Sequence, residues 1–398
     1  TANCRSGSGA YDGPSTINFG QKPFKFPPPD GFQPLNTANV RPSTVISRPD
    51  QFVGVTTYTG NGGTQSINVG LKPDFVWIKR RNSSSDHQLY DSVRGANKGL
   101  TSDQTLAEWD YGNGLTAFDF NGFTLGALGG ANASNDTHVA WCWKAGGSKN
   151  TFNVDDVGYA SAAAAGITEG TNALTGASVG TKQGFSITKH AVSGASVPYT
   201  VGHGLSEAPT FIIWKSLSSS NWVVYHTSTG NQSRTYLNLT NAASSGEAYL
   251  NNTSPSSTVI TMGSSGEFTG DMIIYSWHDV PGLQKFGMYT GNGDADGPFI
   301  ELGFRPAVLI TKRTDGGANN WQIIDAKRSP HNVANTILKP DETAAETSHA
   351  DYAVDFLSNG FKHRTAHIAR NGNGNTYIYA AWAEAPTVDL YGGGANAR

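Results

Sequence analysis

The chain has 398 residues, more than one hydrophobic core usually supports, so its length predicts about two to four domains. Only 15% of the residues are charged, the net charge is -3, and 48 residues are glycine, a composition typical of an all-β chain with many turns. Lysine and arginine are scattered, and no segment reaches the roughly 18 apolar residues of a membrane-spanning helix. We therefore expect neither a nucleic-acid partner nor membrane insertion.

The N-terminal segment, residues 1–50, is rich in proline, including the run at residues 27–29. Proline has no N–H to donate to a β-ladder, so this segment is predicted to be extended and mostly outside any sheet. One stretch within it, residues 15–20, has the composition of a strand.

From residue 51 onward the chain repeats one pattern three times. Residues 58–62 and 289–293 both read Tyr-Thr-Gly-Asn-Gly, and residues 201–205, Val-Gly-His-Gly-Leu, are a looser version. Each opening is followed by a proline and an apolar run, and each copy closes on an aromatic strand. A spacing on the order of 100 residues indicates domain-sized units. The predicted division is an N-terminal segment (1–50), unit 1 (51–147), an insertion (148–183), unit 2 (184–286), unit 3 (287–386) and a flexible tail (387–398).

The apolar runs and turns of each unit predict antiparallel strands. Residues 75–79, 211–215 and 308–312 are rich in Val, Ile, Phe and Trp, and Asn-Gly between aromatic residues is a strong hairpin signal at residues 119–123 and 356–361. The fold class expected is all-β, with three repeated antiparallel β-sandwich units, each with its own core. The insertion is either a docked segment or a linker between units, and its apolar residues favour docking. A short helix is predicted around residues 159–165.

Two parts of the sequence resemble tailed-phage virion proteins. Residues 17–24 and 28–40 resemble the last strand and exit segment of lectin-like SPRY domains. The Tyr-Thr-Gly-Asn-Gly openings, residues 355–361 and the closing aromatic strands resemble a repeated module of marine and cyanobacterial phage structural proteins, including tail-fibre-like chains. The resemblance implies a location on the virion, other virion proteins as partners, and a closed homo-oligomer with a trimer favoured.

Aromatic residues beside polar ones are the better functional clue, because sugars stack on exposed aromatic rings while amides and carboxylates bind their hydroxyls. Trp222 and Tyr225 lie in such a context, but Trp222 recurs as Trp321, which favours a core position. Trp109 and Tyr249 have no counterpart in the other units and lie in variable loops, where binding residues concentrate. We therefore expect Trp109 and Tyr249 to be the stronger glycan-binding candidates.

Residues 292–297 look like the first half of a calcium loop, since Asn292, Asp294 and Asp296 alternate and Gly297 follows. The twelfth position of such a loop would be Gly303, so the bidentate Glu is missing. A plain acidic turn is the favoured interpretation, and no cofactor is expected.

Enzymatic motifs are weak. The histidines lack zinc spacing, and there is no Gly-x-Ser-x-Gly elbow. Glycoside cleavage needs paired carboxylates. Four acids of unit 3 are candidates for such a pair: Glu301, Asp325, Asp351 and Asp355. The sequence therefore predicts a non-enzymatic virion appendage protein that displays loops for a host-surface glycan or receptor. The alternatives are a purely structural capsid or tail component and a polysaccharide depolymerase.

Overall fold

The structure, a computed structural model, describes residues 45–192, 197–245 and 249–386. Within these ranges the fold is all-β with antiparallel sheets, which confirms the predicted fold class. Each α-helix in these ranges has four residues, and no helix there is long and apolar enough to cross a membrane. Most of the expected SPRY-like exit segment and the whole expected tail lie outside the described residues.

Unit 1 contains nine strands and one helix: β1 (Val53–Thr59), β2 (Gln65–Asn68), β3 (Phe75–Arg80), β4 (Gln88–Asp91), β5 (Lys98–Gly99), β6 (Trp109–Asp110), β7 (Leu115–Asp119), β8 (Gly122–Leu125), α1 (Gly129–Asn132) and β9 (Thr137–Trp143). One sheet has the order β1-β9-β3-β4, a second β2-β8-β7, and β5 pairs with β6. The aromatic closing strand β9 lies between β1 and β3, which explains why it is apolar on both faces.

The insertion contains β10 (Phe152–Val154), β11 (Val157–Tyr159), α2 (Ala162–Ala165) and β12 (Leu174–Gly180). Helix α2 is shorter than predicted because it has defined signals at both ends. The Ser161 Oγ accepts a hydrogen bond of 3.1 Å from the backbone N–H of Ala164, and Gly166 ends the helix with a φ of 69°.

Unit 2 contains β13 (Phe185–Ala191), β14 (Tyr199–Gly202), β15 (Phe211–Ser216), β16 (Val223–His226), β17 (Ser233–Tyr236), β18 (Ser244–Ser245), β19 (Val259–Met262) and β20 (Asp271–Trp277). The insertion docks on this unit, since β12 pairs antiparallel with β13 and extends its sheet to the order β11-β10-β12-β13-β20-β15-β16-β17-β18. Strand β14 pairs with β19 in a second layer.

Unit 3 contains β21 (Gln284–Thr290), β22 (Phe299–Glu301), β23 (Phe304–Arg313), β24 (Gln322–Asp325), β25 (Thr336–Ile337), β26 (Thr347–Ser348), β27 (Val354–Leu357), β28 (Gly360–His363), α3 (Ile368–Asn371) and β29 (Thr376–Pro386). Its two main sheets have the orders β21-β29-β23-β24 and β22-β28-β27. The predicted boundary between residues 286 and 287 falls inside β21. Short 3-10 helices occupy Pro49–Gln51, Thr227–Thr229 and Ala350–Tyr352.

One strand order therefore occurs at three places in the chain. The order β1-β9-β3-β4 corresponds to β13-β20-β15-β16 and to β21-β29-β23-β24, and the outer pair β2-β8 corresponds to β14-β19 and to β22-β28. The correspondence extends to individual positions, because β3, β15 and β23 have equivalent buried lysines at their penultimate positions: Lys79, Lys215 and Lys312.

The inner faces of the three sheets share one central hydrophobic core. Trp382 meets Trp143 and Trp277 with ring centroids 5.2 and 5.9 Å apart, so all three closing strands contribute to it. The opposite face of each sheet packs in a separate outer core with its own smaller sheet. Each unit therefore has a core of its own, as predicted, and also contributes to a shared central core that the prediction did not include. A strand that is apolar on both faces indicates burial, but it does not indicate what covers each face.

Three loops, which we call arms (residues 101–108, 236–243 and 339–346), connect the units in a cycle. The backbone N–H of Ser220 in unit 2 donates to the Thr105 carbonyl of the first arm. Asn319 of unit 3 donates to Thr240 of the second arm, and Ser85 of unit 1 donates to a carbonyl of the third arm, each at 2.9 Å. Each unit therefore extends an arm onto the next, and the third arm returns to unit 1.

Side chains at the ends of β4, β16 and β24 form a second cycle of contacts between units. The Tyr275 hydroxyl donates to Asp91 Oδ2 at 2.7 Å, and the Trp141 indole N–H donates to Asp325 Oδ2 at 3.0 Å. In unit 2 the equivalent residue is His226. Its Nδ1 accepts from a backbone N–H, so its Nε2 is the donor to the Tyr379 carbonyl at 3.1 Å.

Candidate functional site

The candidate site is an aromatic stack on the surface of unit 1. Trp109 lies over Gly99, its partner in the β5–β6 pair, where any side chain would collide with the indole ring. The Trp109 ring meets Tyr90 edge to face at a centroid distance of 5.8 Å, which anchors it to the outer core. Tyr111 stacks on Trp109 with centroids 4.7 Å apart and planes inclined by 21°. Tyr111 is 66% exposed, so the stack ends in solvent.

Polar residues neighbour the stack in the sequence, and Asp110 and Lys98 occupy the alternate positions of the β5–β6 pair. The carboxylate of Asp110 forms an ion pair of 3.1 Å with Lys98 Nζ and accepts a hydrogen bond of 3.1 Å from the backbone N–H of Gly112. Asn113, two residues after Tyr111, is exposed. An exposed aromatic ring face can bind a sugar, because the ring contacts the C–H face of the sugar while neighbouring polar groups bind its hydroxyls.

Sequence reasoning found Trp109 but missed Tyr111. The signal was present, since Trp-Asp-Tyr in an extended segment places the first and third side chains on the same face. Tyr111 follows β6 directly, and its stacking on Trp109 shows that the two rings share that face.

Trp222 and Tyr225 were considered as ligand-binding residues, and the structure contradicts this. Trp222 is fully buried, and its indole N–H donates to the Thr101 carbonyl of the first arm at 2.7 Å. Tyr225, 3% exposed, lies in the outer core of unit 2. The reason is that β16 is covered on both faces, by the central core on one side and the outer core on the other.

Tyr249 was predicted to be an exposed glycan-binding ring, and it is buried instead. Its hydroxyl lies 3.0 Å from the Tyr236 hydroxyl, its ring meets Phe268 edge to face, and the guanidinium of Arg234 lies 4.3 Å from its ring centroid. Burial raises the pKa of Tyr249 to about 12. A residue without a counterpart in the other units can thus still be a packing residue, because the outer layers differ between units.

The three residues considered for calcium form a turn whose oxygens bind protein groups. Asn292 Oδ1 accepts from the backbone N–H of Asp294 at 3.0 Å and from Asn371 Nδ2 at 2.8 Å. Asp294 Oδ1 accepts from the N–H of Asp296, whose own carboxylate forms an ion pair with Lys362. In the described ranges no group of three or more His, Cys, Asp or Glu side chains could hold a metal ion. The geometry favours the acidic turn.

This turn is held by a buried asparagine that recurs in unit 1. Asn371 Nδ2 also donates to the carbonyls of Asp294 and Thr365, and its Oδ1 accepts from the N–H of Asn292. In unit 1, Asn132 makes the same set of bonds to the opening turn around Asn61. The repeated Tyr-Thr-Gly-Asn-Gly sequence is therefore explained by the structure of the turn that these asparagines bind. We call Asn132 and Asn371 the turn-locking asparagines.

The acids considered for glycoside cleavage have separate partners. Asp325 is fully buried in an ion pair with Arg328, and Asp355 forms an ion pair of 3.4 Å with Arg364. Asp351 contacts histidines at the surface. Within the described ranges no hydrogen bond joins two of these carboxylates.

A cleft of about 490 Å³ between units 1 and 3 is lined by three other acids, Asp103, Asp341 and Glu342. Asp103 and Asp341 are the two that bind strand ends. Burial raises the pKa of both carboxyl groups, to about 6 for Asp341. Each carboxylate accepts a hydrogen bond from the backbone N–H of the residue before a strand, His87 before β4 and Trp321 before β24. In unit 2 the side-chain oxygen of Asn238 accepts the equivalent bond at 3.0 Å. Because an uncharged amide serves equally well there, we interpret these acids as caps and not as catalytic groups.

Residues 48–386 match the family described as Domain of unknown function (DUF7483). The chain belongs to this family. No curated protein and no solved structure matches the chain. The DUF7483 match includes all three arms, the insertion and the Trp109–Tyr111 stack, so the candidate site lies inside the family domain.

Proposed function

We propose that this chain is a non-enzymatic structural protein of a phage virion appendage, such as a tail fibre, and that it displays loops for binding a host-surface glycan. The observation that supports glycan binding is the Trp109–Tyr111 stack, which ends in a ring that is exposed to solvent. The virion setting rests on the resemblance of the repeated words and closing strands to phage structural proteins.

The rigid support of the Trp109 ring favours a role of the stack in binding a ligand. Trp109 is fixed between Gly99 and Tyr90, so its ring loses little conformational freedom when a ligand binds. Its loop follows the first arm, which is held by hydrogen bonds to unit 2. A binding loop on a rigid scaffold is the usual arrangement for surface recognition.

The assembly proposal is a closed homo-oligomer that contacts other virion proteins, with a trimer favoured by the resemblance to phage fibres. Sedimentation equilibrium of the 398-residue chain tests it directly. A mass of one chain at micromolar concentration would contradict it.

The glycan proposal is tested on an array of bacterial surface glycans, followed by titration of tryptophan fluorescence with any sugar that binds. We expect Tyr111→Ala to weaken binding about tenfold, since one aromatic contact is worth about 1–1.5 kcal/mol. Phe120→Ala is the matched control, because Phe120 is an exposed ring of unit 1 outside the stack. A blank array, or equal affinity of Tyr111→Ala and the wild type, would contradict the proposal.

A purely structural role is the second candidate, and Phe120 favours it. Phe120 is 89% exposed at the tip of the β7–β8 hairpin, where the equivalent hairpin of unit 3 has Ser358. An exposed ring at a loop tip can insert into a pocket of a neighbouring virion protein. We expect Phe120→Ser to reduce incorporation into particles and to leave sugar binding intact, whereas Tyr111→Ala should do the reverse. Normal incorporation of Phe120→Ser would contradict this role.

A further inference from the structure

Unit 3 buries two basic side chains at positions where unit 1 has apolar ones. His363 ends β28 at the position where Leu125 ends β8. Arg370 precedes the turn-locking asparagine of unit 3, and Ala131 precedes that of unit 1. Because the surrounding hydrogen bonds are the same, the exchange of an apolar pair for a basic pair is a local change within a common framework.

Within the part of the chain that the structure describes, neither basic side chain has a hydrogen-bond partner for its polar atoms. Both Arg370 and His363 are 0% exposed. Among the residues that the structure describes, nothing hydrogen-bonds to Nε, Nη1 or Nη2 of Arg370, or to either ring nitrogen of His363. The two residues flank Tyr289, whose ring centroid lies 4.7 Å from that of His363 and whose hydroxyl donates to the Arg370 carbonyl at 2.9 Å.

The charge of Arg370 is not compensated either. Burial lowers the pKa of Arg370 to about 10, so the guanidinium remains cationic at neutral pH. Tyr289 and Tyr352 are the neighbours that favour its charge, and in the described ranges no carboxylate forms an ion pair with it. Enclosing a charge without a counter-charge is strongly unfavourable, so an anion at this position would stabilise the fold.

We propose that Arg370 and His363 bind a small inorganic anion between the two layers of unit 3. A guanidinium offers five N–H donors and a neutral imidazole one, which suits a spherical anion that accepts several hydrogen bonds. The space is narrow, because a Cβ placed on Gly297 would lie only 2.8 Å from the Cβ of His363. The anion is therefore of halide size, and chloride is the probe of choice.

The experiment measures the Tm of the full chain while chloride replaces gluconate at constant ionic strength. A site that binds chloride only in the folded state raises Tm by about 2–4 °C between 5 and 500 mM chloride. The test variant His363→Leu with Arg370→Ala restores the residues of unit 1 and removes the charge, so its Tm should not respond to chloride. Arg48→Ala removes an exposed positive charge and should respond as the wild type does.

Bromide soaked into crystals of the wild-type chain gives a second measurement that does not depend on whether a variant folds. The expected result is an anomalous peak within about 3.5 Å of the Arg370 guanidinium. The proposal is overturned if no such peak is found, or if the double variant and the wild type respond equally to chloride.

Discussion

The buried ion pair between Asp325 and Arg328 should contribute to stability through coupling between its partners. Both side chains are 0% exposed, and Arg328 Nε donates to Asp325 Oδ2 at 2.6 Å. Asp325 Oδ1 accepts from the backbone N–H groups of Lys327 and Arg328. Because Oδ2 also accepts from the Trp141 indole of unit 1, the pair fixes the contact between units 3 and 1.

Asp325→Asn leaves the Arg328 cation with Glu346, 3.2 Å away, as its remaining ionic partner, and turns an amide N–H₂ toward groups that are themselves donors. Loss of one partner of a buried pair costs about 3–5 kcal/mol. For a domain of roughly 340 residues this lowers Tm by about 4–7 °C. Arg328→Met removes the charge but retains much of the side-chain volume, and it should cost about 3 kcal/mol because the carboxylate keeps three N–H donors.

The assay is a double-mutant cycle, in which urea unfolding is measured for the wild type, both single variants and the double variant. The double variant buries no unpaired charge, so its loss should be smaller than the sum of the single losses by about 2–3 kcal/mol. Thr229→Ala is the control, because unit 2 has the neutral residues His226 and Thr229 at the positions equivalent to Asp325 and Arg328. This substitution should lower the free energy of unfolding by less than about 1 kcal/mol. Additivity within about 0.5 kcal/mol would refute the reasoning.

Three further predictions concern buried polar groups. Burial lowers the pKa of His226 to about 4, so its contribution to stability is present above pH 6.5 and lost between pH 6.5 and 4. His226→Asn should reduce the loss of unfolding free energy between pH 6.5 and 4, as measured by urea unfolding. A pH profile identical to that of the wild type would contradict this. Burial lowers the pKa of Lys79, Lys215 and Lys312 to about 8 each in the folded chain. Between pH 8 and 10.5 the unfolded chain therefore binds more protons than the folded chain, and the free energy of unfolding should rise with pH. Lys215→Met should reduce this rise in unfolding free energy, and a rise as large as that of the wild type would contradict the prediction. Asn371→Ala should cost about 2–3 kcal/mol by thermal unfolding, because it leaves several buried groups of the opening turn unpaired; a loss below about 0.5 kcal/mol would show that the turn does not need it.

Much of the fold could be predicted from local patterns. The runs at residues 75–79, 211–215 and 308–312 are strands, and the Asn-Gly hairpins are present, because β-branched and aromatic runs bounded by turn residues leave few alternatives. The central core could not be predicted, since contacts between sheets depend on residues more than 100 positions apart. The insertion was expected to dock, but β10 and β11 have three residues each and are too short to give a periodic signal.

The candidate site was predicted only in part. Trp109 lies at the surface with Tyr111, whereas Tyr249 and Trp222 are enclosed. Sequence shows that an aromatic residue is unique to one unit, but exposure depends on what packs above it, here Tyr236 and Arg234 over Tyr249. The buried Arg370 was missed for the opposite reason, because an arginine beside Asn and Gly in a loop has the sequence context of an exposed residue.

The cycle of arms has a consequence for how this protein resists damage. A cycle has no outermost member, so no unit can leave without breaking the contacts on both of its sides and opening the tryptophan cluster to water. A protease that cuts an exposed connection would therefore leave fragments that still migrate as one particle until a denaturant is added. Such tolerance of severed peptide bonds would preserve the assembled structure after cleavage.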